Sequence, residues 1–164
     1  MIHTEDCDTV EKIPDDTIVS RLILFPHMYD QTPLGKALHW PNIFQFQSKY
    51  NFRESLVWRQ YATEDEDVHW LGHRQETKKR EKAALRGKDL TDKYTGFISA
   101  KTEDIRAIST TNGYRFFVEH VPQEGRCHAE VGYASADATP PAERNDLKMR
   151  LKNTFSEIVL CNAV

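Results

Sequence analysis

Between Arg115 and Ser135 the chain reads RFFVEHVPQEGRCHAEVGYAS, which places two histidines, a cysteine and three glutamates in one short span. Alternating apolar and polar residues on either side of PQEG predict two antiparallel strands around a turn. A four-residue loop would set Val121 opposite Arg126 and Glu119 across from His128, with Glu130 two residues further along the same face. A carboxylate beside an imidazole favours the protonated ring and selects its tautomer, which suits general acid–base chemistry. In that reading Glu119 and His128 act as acid and base on a phosphodiester, Glu130 assists, and Arg115 or a basic stripe holds the phosphate. The plainer reading is a cross-strand ion pair on a solvated face. With no nucleophile indicated, the plainer reading is preferred. His120 and Cys127 would share the opposite, apolar face near the turn. A thiolate beside an imidazolium is a nucleophile, but packing of Cys127 as a small apolar group is the simpler expectation.

A second set of residues suits binding. From Arg74 to Lys88 the chain carries seven basic residues against Glu76 and Glu81, and Arg74, Lys78, Lys82 and Arg86 recur every fourth position. On a helix they form one slowly drifting stripe, fit for a phosphate backbone or an acidic partner. A solvated charged helix is the alternative. His69 and His73 lie one turn apart on the same helix, with Glu66 a turn earlier. Two imidazoles four apart can bind zinc only when an outside ligand completes the shell, so no metal site is assigned. The segment 25–52 holds seven of the 17 aromatic residues. Among them Tyr29 and Trp40 are candidate contact residues for a partner, although most such rings are expected to fill the core.

Several elements must position these groups. Thr17 to Phe25 is a β-branched and aliphatic run, a buried strand ending at Pro26. The segment from Pro26 to Phe52, with three prolines and no period, predicts loops with a short helical turn or strand. A strand follows at 55–61. TEDE at Thr63–Glu66 predicts a capping box, with acids at the positive end of the helix dipole and Gly87 past the far end. These signals define a helix over about 64–86. YTGFISAK and DIRAIST read as short strands, and Asn112-Gly113 as a hairpin turn. Thr139 would cap a helix opening on Pro140 and Pro141, whose stripe Leu147, Leu151, Phe155 and Ile158 packs on the sheet.

The totals bound the class. The chain has 164 residues, is 39% hydrophobic and 29% charged, and has a net charge of −3. That composition is globular, and no apolar run approaches the roughly 18 residues of a membrane span. Residues 1–16 carry six acids and one lysine, which predicts an acidic mobile tail before a single domain at 17–164. Cys7, Cys127 and Cys161 form no paired motif, which fits reduced thiols and, with no export signal, a cytoplasmic setting. No phosphate loop, dinucleotide fingerprint or nucleophile elbow is present, so no cofactor is expected. The expectation is an α+β fold: an antiparallel β-meander packed by a C-terminal helix, with a second charged helix beside it. The expected function is a binding or accessory module without catalysis. It would act on a protein partner or a nucleic acid through the basic stripe and the aromatic loops, away from membranes. The alternative is a small phosphodiester hydrolase.

Overall fold

The computed structural model describes residues 9–32 and 35–161. Their chain order is β1 (Ile18–Phe25), β2 (Tyr29–Thr32), β3 (Gly35–Leu38), α1 (Trp40–Ile43), β4 (Arg53–Trp58), α2 (Asp65–Leu85), β5 (Lys93–Lys101), α3 (Thr102–Arg106), β6 (Phe116–His120), β7 (His128–Tyr133), α4 (Pro141–Thr154) and β8 (Val159–Leu160). Among the described residues, six strands form one antiparallel sheet in the order β6-β7-β4-β1-β5-β8, and β2 and β3 make a separate hairpin. Within the six-stranded sheet, only β6 and β7 are paired neighbours that also follow one another in sequence. The class is α+β, with α4 packed on the sheet.

β1 lies at the centre because its side chains are buried on both faces, as a continuous apolar run requires. One face meets α4 through Leu147, Leu151 and Phe155, over a ring cluster of Phe44, Phe46, Phe116 and Tyr133. The other carries a smaller cluster, Val57, Ala62, Val68, Phe97 and Cys127, under α2. Most of the aromatics in the 25–52 segment are therefore core, as expected of a small domain.

Several boundaries differ from expectation. The stretch around DIRAIST is not a strand: its start forms α3, with Glu103 and Asp104 in the first turn and Ile105 turned into the core. The Asn112-Gly113 turn is present, with Gly113 at φ 86°, but it joins a single Ser109–Arg115 bridge rather than two strands. α2 starts after Glu64, whose backbone N–H donates to Asp67 Oδ2 at 3.2 Å, one residue beyond the expected box. Thr139 donates to Ser135 O instead of capping α4, and Ile158 lies beyond the end of that helix.

The N-terminal segment divides. Residues 1–8 of the expected tail lie outside the described residues, whereas the stretch from Glu11 to Asp15 is anchored. Ile13 is only 1% exposed, and Arg106 donates to Ile13 O and Asp15 Oδ1, each at 2.7 Å. Glu11 bonds Tyr61 Oη through its carboxylate and donates its N–H to His120 Nδ1. Burying one isoleucine offsets part of the entropy of ordering this segment.

Candidate functional site

The site begins where β1 and β4 part. They pair at only two positions, Val19–Trp58 and Ser20–Val57. Beyond them Arg21 fills the gap. Its guanidinium donates to Ser55 O at 2.9 Å, Ile43 O at 3.1 Å and Glu54 Oε2 at 2.8 Å. The other Glu54 oxygen accepts the N–H groups of Gln45 and Phe46, each at 3.0 Å. One ion pair thus holds the two strands apart and pins the aromatic loop. Neither sequence period nor motif marks this pair; the only signal was an arginine inside an aliphatic run.

The β6–β7 hairpin has a different register from the expected one. Glu119 lies opposite Glu130 and His120 opposite Ala129, because Pro122–Glu124 forms a 3₁₀ turn and lengthens the loop. The shift is two residues, so Glu119, His128 and Glu130 keep a common face, but Glu119 does not face His128. His128 Nε2 instead meets Glu130 Oε2 on its own strand at 3.0 Å. Arg53 bonds Glu119 and reaches Glu130 at 3.1 Å, while its guanidinium stacks 4.6 Å from the Phe117 ring. Two carboxylates directly opposite one another would repel, and Arg53 is the cation that makes the pairing tolerable. The His128 hydrogen bond, and Arg53 after it, hold Glu130 below the usual carboxylate range against the opposing effect of burial. That depressed pKa adds stability above the ordinary carboxylate range. The contribution is lost as pH falls through the lowered value.

Cys127 and His120 do not meet. Cys127 packs under α2, and burial pushes its thiol up to about 11. His120 bonds Glu11 N and Arg126 O, with its ring against Trp58.

α2 rises over this face. Its buried side is limited to Val68 and Gly72, and from Thr77 onward it is largely exposed. Arg74, Lys78 and Lys82 line a groove of about 780 Å³ whose other wall is β4 and β7. His128 and Glu130 line it too, as do Arg53 and Arg126, so the two sets of residues singled out from sequence border one space. Glu119 is bound to its edge through Arg53. Arg86 caps the helix beyond the groove, and Arg115 sits exposed in its bridge. Tyr29 is 1% exposed and belongs to the core, so it offers no contact surface. Trp40 is half-buried against the core, with Lys152 Nζ 5.9 Å from its ring, and does not line the groove.

Five cations of the groove lie outside the stripe read from sequence: Arg21, Lys49, Arg53 and Arg126, and Lys79 of the same basic run. They come from separate elements, and only tertiary packing gathers them. Arg126 is fixed by stacking 4.1 Å over the Tyr61 ring. The Lys79 ammonium has no hydrogen bond or ion pair among the described residues. Burial and then Arg21 hold its ammonium below the usual lysine range, a penalty that a bound anion would relieve.

His69 and His73 face away from the groove, toward β5. Tyr94 Oη meets His69 Nδ1 at 2.7 Å, and burial holds that imidazole below the usual histidine range. Among the described residues no three His, Cys, Asp or Glu side chains gather where a metal ion could sit. No helix among them is long and apolar enough to cross a membrane. No protein family, curated protein or solved structure matches this chain.

Proposed function

We propose that this protein binds single-stranded nucleic acid, holding its phosphates in the groove between α2 and the β4–β7 part of the sheet. The observation that carries the proposal is the charge of the groove. Its lining has eight basic side chains and three carboxylates, in a chain of net charge −3. A concave wall with an excess of one sign focuses the field and concentrates anions. Arg74, Lys78 and Lys82 recur at intervals of about 6 Å along the helix axis, so they follow a linear polyanion better than a single small one. Tyr50, exposed at the groove, adds a ring on which a base can stack. The β4–β7 wall opposite the stripe favours a strand over a duplex.

Fluorescence anisotropy with a labelled single-stranded oligonucleotide tests this. Three phosphate contacts predict a slope of log affinity against log salt of about −2. The triple variant Arg74→Glu, Lys78→Glu, Lys82→Glu is expected to abolish binding with an unchanged melting curve, since these side chains are not core. Wild-type protein that ignores the oligonucleotide at low salt would sink the proposal, and so would full binding by the triple variant. Polyglutamate as competitor separates nucleic acid from a merely acidic protein segment.

The hydrolase reading keeps one supporting observation: the His128–Glu130 pair lines the same groove. Against it, Arg53 occupies both carboxylates of the hairpin. His128→Ala should leave binding intact, and only a loss of oligonucleotide cleavage would favour catalysis.

A further inference from the structure

The opposite side of α2 carries a separate cluster. Gly72 lies so close to β5 that an added Cβ would sit 2.2 Å from the Tyr94 ring. At Gly96 the same addition would sit 2.3 Å from Val159 O. These two close approaches bring the helix and β8 together over β5. They set Cys161, held by its N–H to Thr95 O at 2.8 Å, beside His73. Cys161 Sγ is 3.4 Å from His73 Nε2. The other ring nitrogen, Nδ1, is 3.5 Å from Glu76 Oε2, and Arg80 holds Glu76 at 2.8 Å. A carboxylate 3.5 Å from Nδ1 favours a proton on that nitrogen, which leaves Nε2 to accept from the thiol. Cys161 thus has a base within hydrogen-bond reach, and that base has a carboxylate at salt-bridge distance behind it. Cys161 is partly exposed and opens on a cavity of about 510 Å³ that Asp65, Glu66 and Trp70 also line.

We propose that Cys161 is a nucleophilic thiol, with His73 as its base, which forms mixed disulfides with small cationic disulfides. His73 Nε2 takes the thiol proton, and the sulfur attacks one sulfur of the incoming disulfide. A new S–S bond forms as the old one breaks. The departing thiolate takes the proton from the His73 imidazolium, so the exchange needs no other oxidant. Acyl transfer is not proposed, because the Cys161 N–H already serves Thr95 and leaves no donor there for an oxyanion. The acids at the cavity select the charge of the partner, Glu66 above all since Asp65 is paired with Arg59 at 3.0 Å: a cationic disulfide is drawn in and an anionic one repelled. This site is independent of the groove, since His73 and Arg74 face different sides of α2.

The test uses the full chain carrying Cys7→Ser, treated with cystamine or with oxidised glutathione, followed by intact mass and peptide mapping. Cys161 is expected to gain one adduct, faster with cystamine than with glutathione, and at least about tenfold faster than Cys127. His73→Ala should slow the reaction about tenfold or more, and Glu76→Gln should slow it less. Asp65→Asn with Glu66→Gln should erase the preference for cystamine while leaving His73 in place. Should His73→Ala unsettle the fold, the urea-unfolded chain is the reference: a native Cys161 no faster than the unfolded thiol overturns the proposal. A wild-type rate in folded His73→Ala overturns it equally, and a preference for glutathione overturns the charge selection.

Discussion

Arg21 is the residue on which the groove most depends. Its side chain is 9% exposed, its partner Glu54 is 14% exposed, and each nitrogen of the guanidinium and each oxygen of the carboxylate has a hydrogen-bond partner. A buried pair of this kind adds little over an apolar replacement, but removing one partner strands the other. Arg21→Leu is expected to lower the unfolding free energy by about 3 kcal/mol, read by urea denaturation. A loss below about 1 kcal/mol would mean that the wedge does not hold β1 and β4 as described. The sequence shows this arginine but not its role, because the groups it serves are carbonyls and a carboxylate brought from Ile43, Ser55 and Glu54. Glu130 and His128 were legible as a shared face, since a strand alternates whatever its register. The residue facing Glu119 was not, because the length of the loop sets Glu130 rather than His128 opposite it.

At the scale of elements, α2 is the part most completely encoded locally. Acids at one end, bases at the other and a glycine beyond predict its limits to within one residue at each end. Its seat is encoded by a residue that helix propensity disfavours. Gly72→Ala gains about 1 kcal/mol of propensity, yet its Cβ would overlap the Tyr94 ring. Relieving that overlap typically costs about 1–3 kcal/mol. The expected net result is a lower melting temperature, measured by circular dichroism; a higher one would show that the helix does not rest on Tyr94. α3 was misread as a strand because a five-residue helix has too few residues to display a period. Ile105 enters the core from a helical turn instead, and Ile108 follows from just beyond it.

At the scale of the molecule, a chain of net charge −3 carries a basic cleft, and the outer half of α2 forms its less supported wall. Leu85, near its end, is 89% exposed. Few buried contacts hold 77–85, so its amides are expected to exchange faster than those of 65–72. An oligonucleotide in the groove should slow them, and hydrogen exchange with mass spectrometry reads both effects. The same rates for the two halves of the helix would contradict this picture. The sequence by itself determined the α+β class, the buried first strand, the charged helix and the common face of His128 and Glu130. Hydrophobic period, caps and strand alternation are local properties that the chain carries wherever it goes. The tertiary structure alone decided that β1 and β4 diverge around Arg21, that Arg53 joins two opposed glutamates, and that Cys161 meets His73. Each of these contacts joins residues more than 30 positions apart or across an unpredictable loop, and the sequence does not encode such distances as a pattern.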